Sequence, residues 1–140
     1  MPGVVLVVED DAHALSGYME FLASEGFEPV GAADGNQALG LALERPPAAV
    51  VTDISLPGLN GLALASALRH DERTRGVPIL ALTAHWSADI TSRAAEAGII
   101  AVLLKPCLPS HLVAELRRVL AGLEEEEHGS RGRATAEEPG

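Results

Sequence analysis

Residues 48–61, AAVVTDISLPGLNG, are the stretch that decides how this chain is expected to fold. An apolar run stops at the carboxylate of Asp53, a Pro-Gly turn follows four residues later, and an Asn-Gly pair opens a new apolar stretch. This order is typical of a buried parallel strand that delivers one acidic side chain to the carboxyl edge of a sheet. Open α/β sheets bind their ligands at that edge. Taken alone, the stretch fits a turn former or a helix cap at Asp53 equally well.

The rest of the chain alternates between two hydrophobic patterns. Short apolar runs suited to strands lie at residues 4–8, 28–32, 77–82 and 99–104, and apolar stripes at helical spacing lie within residues 12–24, 38–43, 61–69, 87–97 and 112–123. Strands that alternate with helices in this way predict a parallel sheet covered by helices on both faces. The predicted fold is therefore a doubly wound α/β domain with five strands and five helices.

Length and composition narrow the class of protein. A chain of 140 residues is expected to form one domain. Its single cysteine, Cys107, excludes a disulfide within the chain and favours a reducing compartment. No apolar run is long enough to cross a bilayer, so we expect a cytoplasmic protein with no membrane association. The net charge of −10 argues against direct binding of nucleic acid.

The last 17 residues differ in composition from the rest. Residues 124–140 contain six Glu, two Arg and almost nothing apolar, so burial cannot offset the entropy that ordering them would cost. We therefore expect one domain at residues 1–123, followed by a disordered acidic tail at residues 124–140.

Four of the five predicted strands end in charged or hydroxyl side chains. These residues are Glu9, Asp10 and Asp11 after the first strand, Asp53 after the third, Thr83 after the fourth and Lys105 after the fifth. In a parallel sheet, all of them lie at one edge. Lys105 is the only lysine beside nine arginines, which suggests that this position requires a compact ammonium.

Such a cluster suggests a particular chemistry. Neighbouring carboxylates repel one another and raise their pKa values, and a hard cation such as Mg²⁺, which keeps some water ligands, relieves that repulsion. A metal beside a carboxylate, with a hydroxyl and an ammonium opposite, is equipped for phosphoryl transfer.

Residues 4–122 resemble the receiver domain of two-component response regulators. The matching stretches are VLVVEDD at residues 5–11, DISLPGLNG at 53–61, LTA at 82–84 and LKP at 104–106. The resemblance implies a flavodoxin-like fold with the parallel strands in the order 2-1-3-4-5. It also implies a protein that switches between two states and catalyses only its own phosphorylation and dephosphorylation.

The resemblance implies roles for the residues at the carboxyl edge. Asp53 corresponds to the phosphoacceptor, which takes a phosphoryl group from a histidine kinase or a phosphotransfer protein. Asp10 corresponds to a direct Mg²⁺ ligand, Glu9 to an acid that holds the metal largely through water, and Ser55 to a ligand through its main-chain carbonyl.

The remaining positions follow in the same way. Thr83 corresponds to the hydroxyl that moves toward the phosphoryl group, and Lys105 corresponds to the ammonium that pairs with it. The peptide bond between Lys105 and Pro106 matches a position that is cis in the family. Asp11 is expected to cap the first helix, and Gly58 and Gly61 to shape the loop after the phosphoacceptor.

The chain departs from the family pattern where the phosphorylation signal is relayed. The family uses a face formed by the fourth helix, the fifth strand and the last helix, commonly with Tyr or Phe three residues before the lysine. Here that residue is Val102, so a rotating ring is excluded there, and Thr83 with backbone motion or a neighbour such as Trp86 is expected to act instead. His85 fits either a residue that tunes dephosphorylation or a surface residue, and Cys107 fits a small half-buried residue.

Several alternatives stay open from the sequence. No DNA-binding or catalytic pattern follows the receiver-like region, so we expect either a stand-alone receiver or one from a hybrid kinase, and a homodimer is left open. An aspartyl-phosphate phosphohydrolase of similar topology would need an Asp-x-Asp motif on the first strand, whereas residues 9–11 are Glu-Asp-Asp. A receiver-like docking module that is never phosphorylated is disfavoured because each expected site residue is present.

Overall fold

The structure of the chain is a computed structural model that describes residues 3–129, with side chains through residue 123. The strands are β1 (Val4–Val8), β2 (Glu28–Ala32), β3 (Ala49–Asp53), β4 (Ile79–Thr83) and β5 (Ala101–Leu104). The helices are α1 (Ala12–Ser24), α2 (Gly35–Glu44), α3 (Gly61–Arg69), α4 (Ala88–Glu96) and α5 (Pro109–Gly129). The alternation of strands and helices is the one predicted from the sequence.

The strands form a parallel sheet in the order β2-β1-β3-β4-β5, which confirms the predicted fold and strand order. The register pairs Val8 with Thr52, Asp53 with Leu82, and Thr83 with Leu104. The carboxyl ends of β1, β3, β4 and β5 therefore lie side by side, and the residues that end these strands share one edge.

Two hydrophobic cores hold the helices against the sheet. On one face, α1 and α5 pack on alternate strand residues such as Val7, Val51 and Leu82. On the other face, α2, α3 and α4 pack on the residues between them, such as Val8 and Val50. Because successive side chains of a strand point to opposite faces, continuous apolar strands supply both cores.

Polar residues define where the helices begin. Asp11, Asp34, Asn60 and Ser87 are the N-caps of α1, α2, α3 and α4, and each side chain accepts a hydrogen bond from a main-chain N–H of the first turn. Asp11 is therefore a cap, as predicted. Because all four caps stand between the carboxyl end of a strand and the helix that follows it, they also shape the loops at the edge that carries the site.

Two predicted strands begin later than expected. Residues 77–78 and 99–100 precede β4 and β5 instead of belonging to them. The main-chain N–H of Ile99 donates to the carbonyl oxygen of Ala94 at 2.9 Å, across Gly98, whose φ is 96°. Ile99 thus closes the end of α4, because a residue with positive φ after a helix turns the chain back onto the last helical carbonyls.

The last helix extends beyond the predicted domain boundary. Helix α5 continues to Gly129, six residues past residue 123, since glutamate is a good helix former and extending an existing helix costs little. The rest of the predicted tail, residues 130–140, lies outside the described residues. Among the described residues, no helix combines the length and apolar character needed to span a membrane.

Candidate functional site

Three carboxylates meet at the carboxyl edge of the sheet. Glu9 and Asp10 directly follow β1, and Asp53 ends β3 beside it. One oxygen from each carboxylate lies within 4.8 Å of the other two. Glu9 is only 1% exposed and Asp53 5%, whereas Asp10 is exposed. The cluster therefore has a buried side and a side open to solvent.

Lys105 supplies a positive charge to the buried side of this cluster. Its Nζ lies 3.1 Å from Oε1 of Glu9 and 3.1 Å from both carboxylate oxygens of Asp53. The main chain holds this residue in place, because its N–H donates to the carbonyl oxygen of Thr83 at 2.8 Å. The ammonium thus bridges two carboxylates that are far apart in the sequence, and charge-assisted bonds of this kind are among the stronger ones in proteins.

Burial and neighbouring charges change the acidity of the cluster. The pKa of Asp53 is raised from 3.8 to about 6, because burial and, to a lesser extent, the charge of Glu9 outweigh the hydrogen bond from Lys105, which lowers it. Burial lowers the pKa of Lys105, but its bonds to Glu9 and Asp53 outweigh that effect and leave the pKa raised. At neutral pH Asp53 is therefore ionised but more basic than an ordinary carboxylate, which makes it a better nucleophile.

Thr83 ends β4 next to this cluster. Its hydroxyl donates to the carbonyl oxygen of His85 at 3.3 Å and accepts from the N–H of His85 at 3.2 Å. The side chain is 7% exposed. The hydroxyl that was expected to move is therefore engaged by the loop that leads into α4, so any rotation of Thr83 must release that loop.

An open cleft of about 390 Å³ leads from solvent to these groups. It is lined by Asp53, Ser55, Thr83, Lys105, His85, Trp86 and Ile90, among others. Trp86 is 60% exposed, so its indole lies at the mouth of the cleft and not in the core. The cleft is large enough for a phosphoryl group and its leaving group to reach the carboxylate.

Two residues close to Lys105 in the sequence, Val102 and Cys107, pack into the hydrophobic cores. Val102 is half-buried and packs against the core under α4. Cys107, expected to be a small half-buried residue, is buried, and this burial raises the pKa of its thiol, which makes the reactive thiolate less accessible. The Lys105–Pro106 peptide bond is cis, as the family resemblance implied.

Tyr18 is a residue near the site that the sequence analysis missed. Its hydroxyl donates to the main-chain oxygen of Cys107 at 3.1 Å, in a buried setting. The sequence carries a partial signal, because Ala14, Tyr18 and Leu22 share one face of α1 at spacings of four residues. That pattern indicates burial, but it gives no indication of what the hydroxyl contacts.

The acidic cluster suits a hard divalent cation. Carboxylate oxygens are the ligands that Mg²⁺ prefers, and Mg²⁺ usually keeps several waters and takes only one or two carboxylates from the protein. The three converging oxygens of Glu9, Asp10 and Asp53, with Asp10 open to solvent, fit this requirement. Ser55 lines the same cleft, and a role for its main-chain carbonyl stays a prediction.

Comparison with known proteins agrees with this geometry. Residues 5–117 match the family described as the response regulator receiver domain. The transcriptional regulatory protein PrrA of Mycobacterium tuberculosis is 39% identical over 116 residues, which are 83% of this chain and 49% of PrrA. The chain thus spans about half the length of the curated relatives it matches.

Solved structures match over most of this chain. The chemotaxis protein CheY4 of Vibrio cholerae has a TM-score of 0.81 and 28% identity, covering 85% of this chain and 99% of that one. The receiver domain of the sensor histidine kinase PA1611 from Pseudomonas aeruginosa has a TM-score of 0.74 and 32% identity, covering 87% and 97%. That structure is described as having a magnesium ion coordinated in its active-site cleft.

Proposed function

Because this chain belongs to the response regulator receiver family, we propose that it accepts a phosphoryl group on Asp53 from the phosphohistidine of a histidine kinase or a phosphotransfer protein. One observation carries this proposal: a buried carboxylate with a pKa of about 6 lies in contact with the only lysine of the chain, at the floor of an open cleft. Both the basicity of the carboxylate and its access to solvent suit a nucleophile.

The proposed transfer balances without any further reactant. A carboxylate oxygen of Asp53 attacks the phosphorus of the donor, the N–P bond to the donor's imidazole breaks, and the electron pair of that bond stays with the imidazole nitrogen. Lys105 neutralises charge on the carboxylate and then on the phosphoryl oxygens, since its ammonium already lies 3.1 Å from Asp53. Thr83 donates its hydroxyl to a phosphoryl oxygen after it leaves the main chain of His85.

We propose that Mg²⁺ binds at the acidic cluster, as receiver domains typically bind this ion. Asp10 and Asp53 would hold it directly, Glu9 largely through water, and Ser55 through its main-chain carbonyl. When bound, the ion neutralises negative charge on the carboxylates and on the phosphoryl oxygens.

The proposed output is a change in protein contacts. Around the surface formed by α4, β5 and α5, two apolar side chains are each 54% exposed, Ile100 just before β5 and Leu104 at its end. Trp86 lies in the loop before α4. We propose that a downstream protein binds this surface in a phosphorylation-dependent manner, in the cytoplasm. With a chain charge of −10, we infer no direct contact between this domain and nucleic acid, although relatives such as PrrA are transcriptional regulators by name.

The experiment that tests the proposal is labelling by a small phosphodonor. The purified protein is incubated with acetyl phosphate and Mg²⁺, and intact-mass spectrometry follows the addition of one phosphoryl group. We expect labelling that requires Mg²⁺, is stable in acid and labile in base, and is lost in Asp53→Asn. Asp71→Asn is the matched control, because Asp71 is an aspartate in the loop before β4, at the opposite edge of the sheet, and should label normally.

Other outcomes would support other functions. Labelling that persists in Asp53→Asn would refute the assignment of the phosphoacceptor. Multiple turnover of phosphate esters would favour a phosphohydrolase. Absence of both labelling and Mg²⁺ binding would favour a docking module that is never phosphorylated.

A further inference from the structure

The segment that carries Lys105 alternates between residues buried in the core, Leu103 and Cys107, and residues exposed to solvent. Leu104, Pro106 and Leu108 are all exposed, and Pro106 has no N–H to donate. The hydrogen bond from Lys105 N–H to Thr83, at 2.8 Å, anchors the segment on its β4 side. Beyond Pro106 the carbonyl oxygen of Leu108 accepts hydrogen bonds from the first turn of α5, and a second anchor closer to Lys105, at Cys107, would fix the ammonium more firmly.

Tyr18 provides that second anchor. It is 6% exposed, its ring packs in the core between α1 and α5 with Leu103 and Leu112, and its hydroxyl donates to the Cys107 carbonyl at 3.1 Å. Because the ring is fixed by packing, the hydroxyl presents a donor at a fixed point. A buried carbonyl without a partner would carry a desolvation penalty, so the bond holds Cys107 inward.

The hydrogen bond of this hydroxyl goes to the main chain two residues after Lys105. Burial raises the pKa of Tyr18, Cys107 raises it further, and the charges of Lys105, Glu9 and Asp53 also act on it, in agreement with a hydroxyl beside the segment that carries the ammonium.

We propose that Tyr18 is a positioning residue for phosphoryl transfer: its hydroxyl fixes the main chain at Cys107 and thereby holds the Lys105 ammonium against Asp53. This inference rests on the proposed function of Asp53 and adds a residue of α1 to the site. A ring at position 18 would fill the core equally well without its hydroxyl, so the hydroxyl and the ring have separable roles.

Tyr18→Phe tests the proposal, because it removes the hydroxyl and keeps the ring. We expect labelling by acetyl phosphate to slow about fivefold, which corresponds to about 1 kcal/mol for one net hydrogen bond. The matched control is Thr74→Val. The hydroxyl of Thr74 also donates to a buried main-chain carbonyl, that of Leu68 at 2.6 Å, but it lies between α3 and β4, at the opposite edge of the sheet.

Thermal melts first establish that the two variants are folded and comparably destabilised. If Tyr18 acts on the site, only Tyr18→Phe slows labelling, and Thr74→Val labels at the wild-type rate. Labelling of Tyr18→Phe at the wild-type rate would overturn the inference. Equal slowing in both variants would also overturn it, because the slowing would then reflect a general loss of stability and not an effect on the site.

A double-mutant cycle with Lys105 identifies the route of the effect. In a Lys105→Met background, followed over long incubations at high donor concentration, Tyr18→Phe should slow labelling by less than about twofold, because the group it positions is gone. Slowing by the same factor as in the wild type would show that Tyr18 acts independently of Lys105 and would overturn the inference. Hydrogen exchange of residues 105–108 gives a second measure, and it should accelerate in Tyr18→Phe but not in Thr74→Val.

The controls separate this inference from the proposed function. If the wild-type protein labels and Asp53→Asn does not, the proposed function stands whatever Tyr18→Phe does. If the wild-type protein is not labelled at all, the proposed function fails and the inference about Tyr18 falls with it.

Discussion

Asp53→Asn is expected to stabilise the protein at neutral pH, although it removes the proposed phosphoacceptor. Folding raises the pKa of Asp53 from 3.8 to about 6, a difference of about 2 units. At about 1.4 kcal/mol per unit, the ionised carboxylate lowers the free energy of unfolding by at most about 3 kcal/mol at neutral pH. Asn also removes one partner of Lys105, and water in the cleft screens the charge, so we expect a gain of about 1–2 kcal/mol. For a domain of this size, that is a rise in Tm of about 4–8 °C.

The stabilisation by Asp53→Asn should depend on pH. Because the pKa of Asp53 is higher in the folded state, the folded protein holds a proton between pH 3.8 and about 6 that the unfolded chain has released. Wild-type stability therefore falls as pH rises through this window, and the cost is absent below it. The difference in free energy of unfolding between Asp53→Asn and the wild type should therefore develop between about pH 4 and 6 and stay constant above pH 6.

Urea unfolding from pH 4 to 8 in metal-free buffer measures this effect, since bound Mg²⁺ would stabilise only the wild type. Asp71→Asn is the control, because Arg73 lowers the pKa of Asp71 to about 2, opposite to the shift at Asp53. The stability of Asp71→Asn relative to the wild type should therefore not increase with pH. Two results would refute the reasoning: no stabilisation of Asp53→Asn at pH 7, or a gain of equal size at pH 4 and pH 7.

Three further perturbations test other parts of the site. Thr83→Val removes the hydroxyl bonded to His85, so we expect labelling of Asp53 to persist while the tryptophan fluorescence response to acetyl phosphate is lost; an unchanged response would contradict the role of the hydroxyl. A Cβ added at Gly61 would collide with the main chain of Asp53, so Gly61→Ala should destabilise the protein by more than about 2 kcal/mol in urea unfolding. Gly17→Ala, on α1 with open space around the added Cβ, should instead stabilise it by up to about 1 kcal/mol, and equal effects would argue against the collision. Mg²⁺ affinity, measured by tryptophan fluorescence, should fall about tenfold per pH unit below the pKa of Asp53, since protons compete for the ligand oxygen; a flat profile from pH 5 to 7 would exclude that carboxylate as a ligand.

The sequence was sufficient to predict the sheet and its edge. Each strand is a short apolar run with one clear end, and a parallel sheet collects those ends at one edge. That rule alone brings Glu9, Asp10, Asp53, Thr83 and Lys105 together. The ends of helices were also predictable where local chemistry determines them, as at the N-cap Asp11 and at Gly98 with its φ of 96°.

The contacts within the site were less predictable. The sequence suggested a role for Glu9 at a metal, but it did not reveal that Glu9 is buried and accepts a bond from Lys105 at 3.1 Å. Nor did it connect Tyr18 with Cys107, which are 89 residues apart. Such contacts depend on how helix and loop pack in three dimensions, and hydrophobic periodicity reports only which face is buried.

The contacts in the structure lower the free energy that phosphorylation can contribute to the proposed switch. Two new hydrogen bonds to a phosphoryl group, at roughly 1.5–3 kcal/mol each, would approach the roughly 5.5 kcal/mol that swings an equilibrium from 1:99 to 99:1. However, the hydroxyl of Thr83 already bonds the main chain of His85, and Lys105 already bonds two carboxylates. The phosphoryl bonds are therefore exchanges and not additions.

The exchange differs for the two residues. Thr83 gives up neutral contacts for a bond to a charged group, a net gain of about 1–2 kcal/mol. Lys105 exchanges one anionic partner for another and gains little. Phosphorylation of Asp53 should then shift the equilibrium of the loop before α4 by about 5- to 30-fold, unless a partner protein that binds only the switched form adds its own free energy. This chain is therefore expected to respond fully only when phosphorylation and the downstream partner act together, and the partner should bind the phosphorylated protein about 5- to 30-fold more tightly.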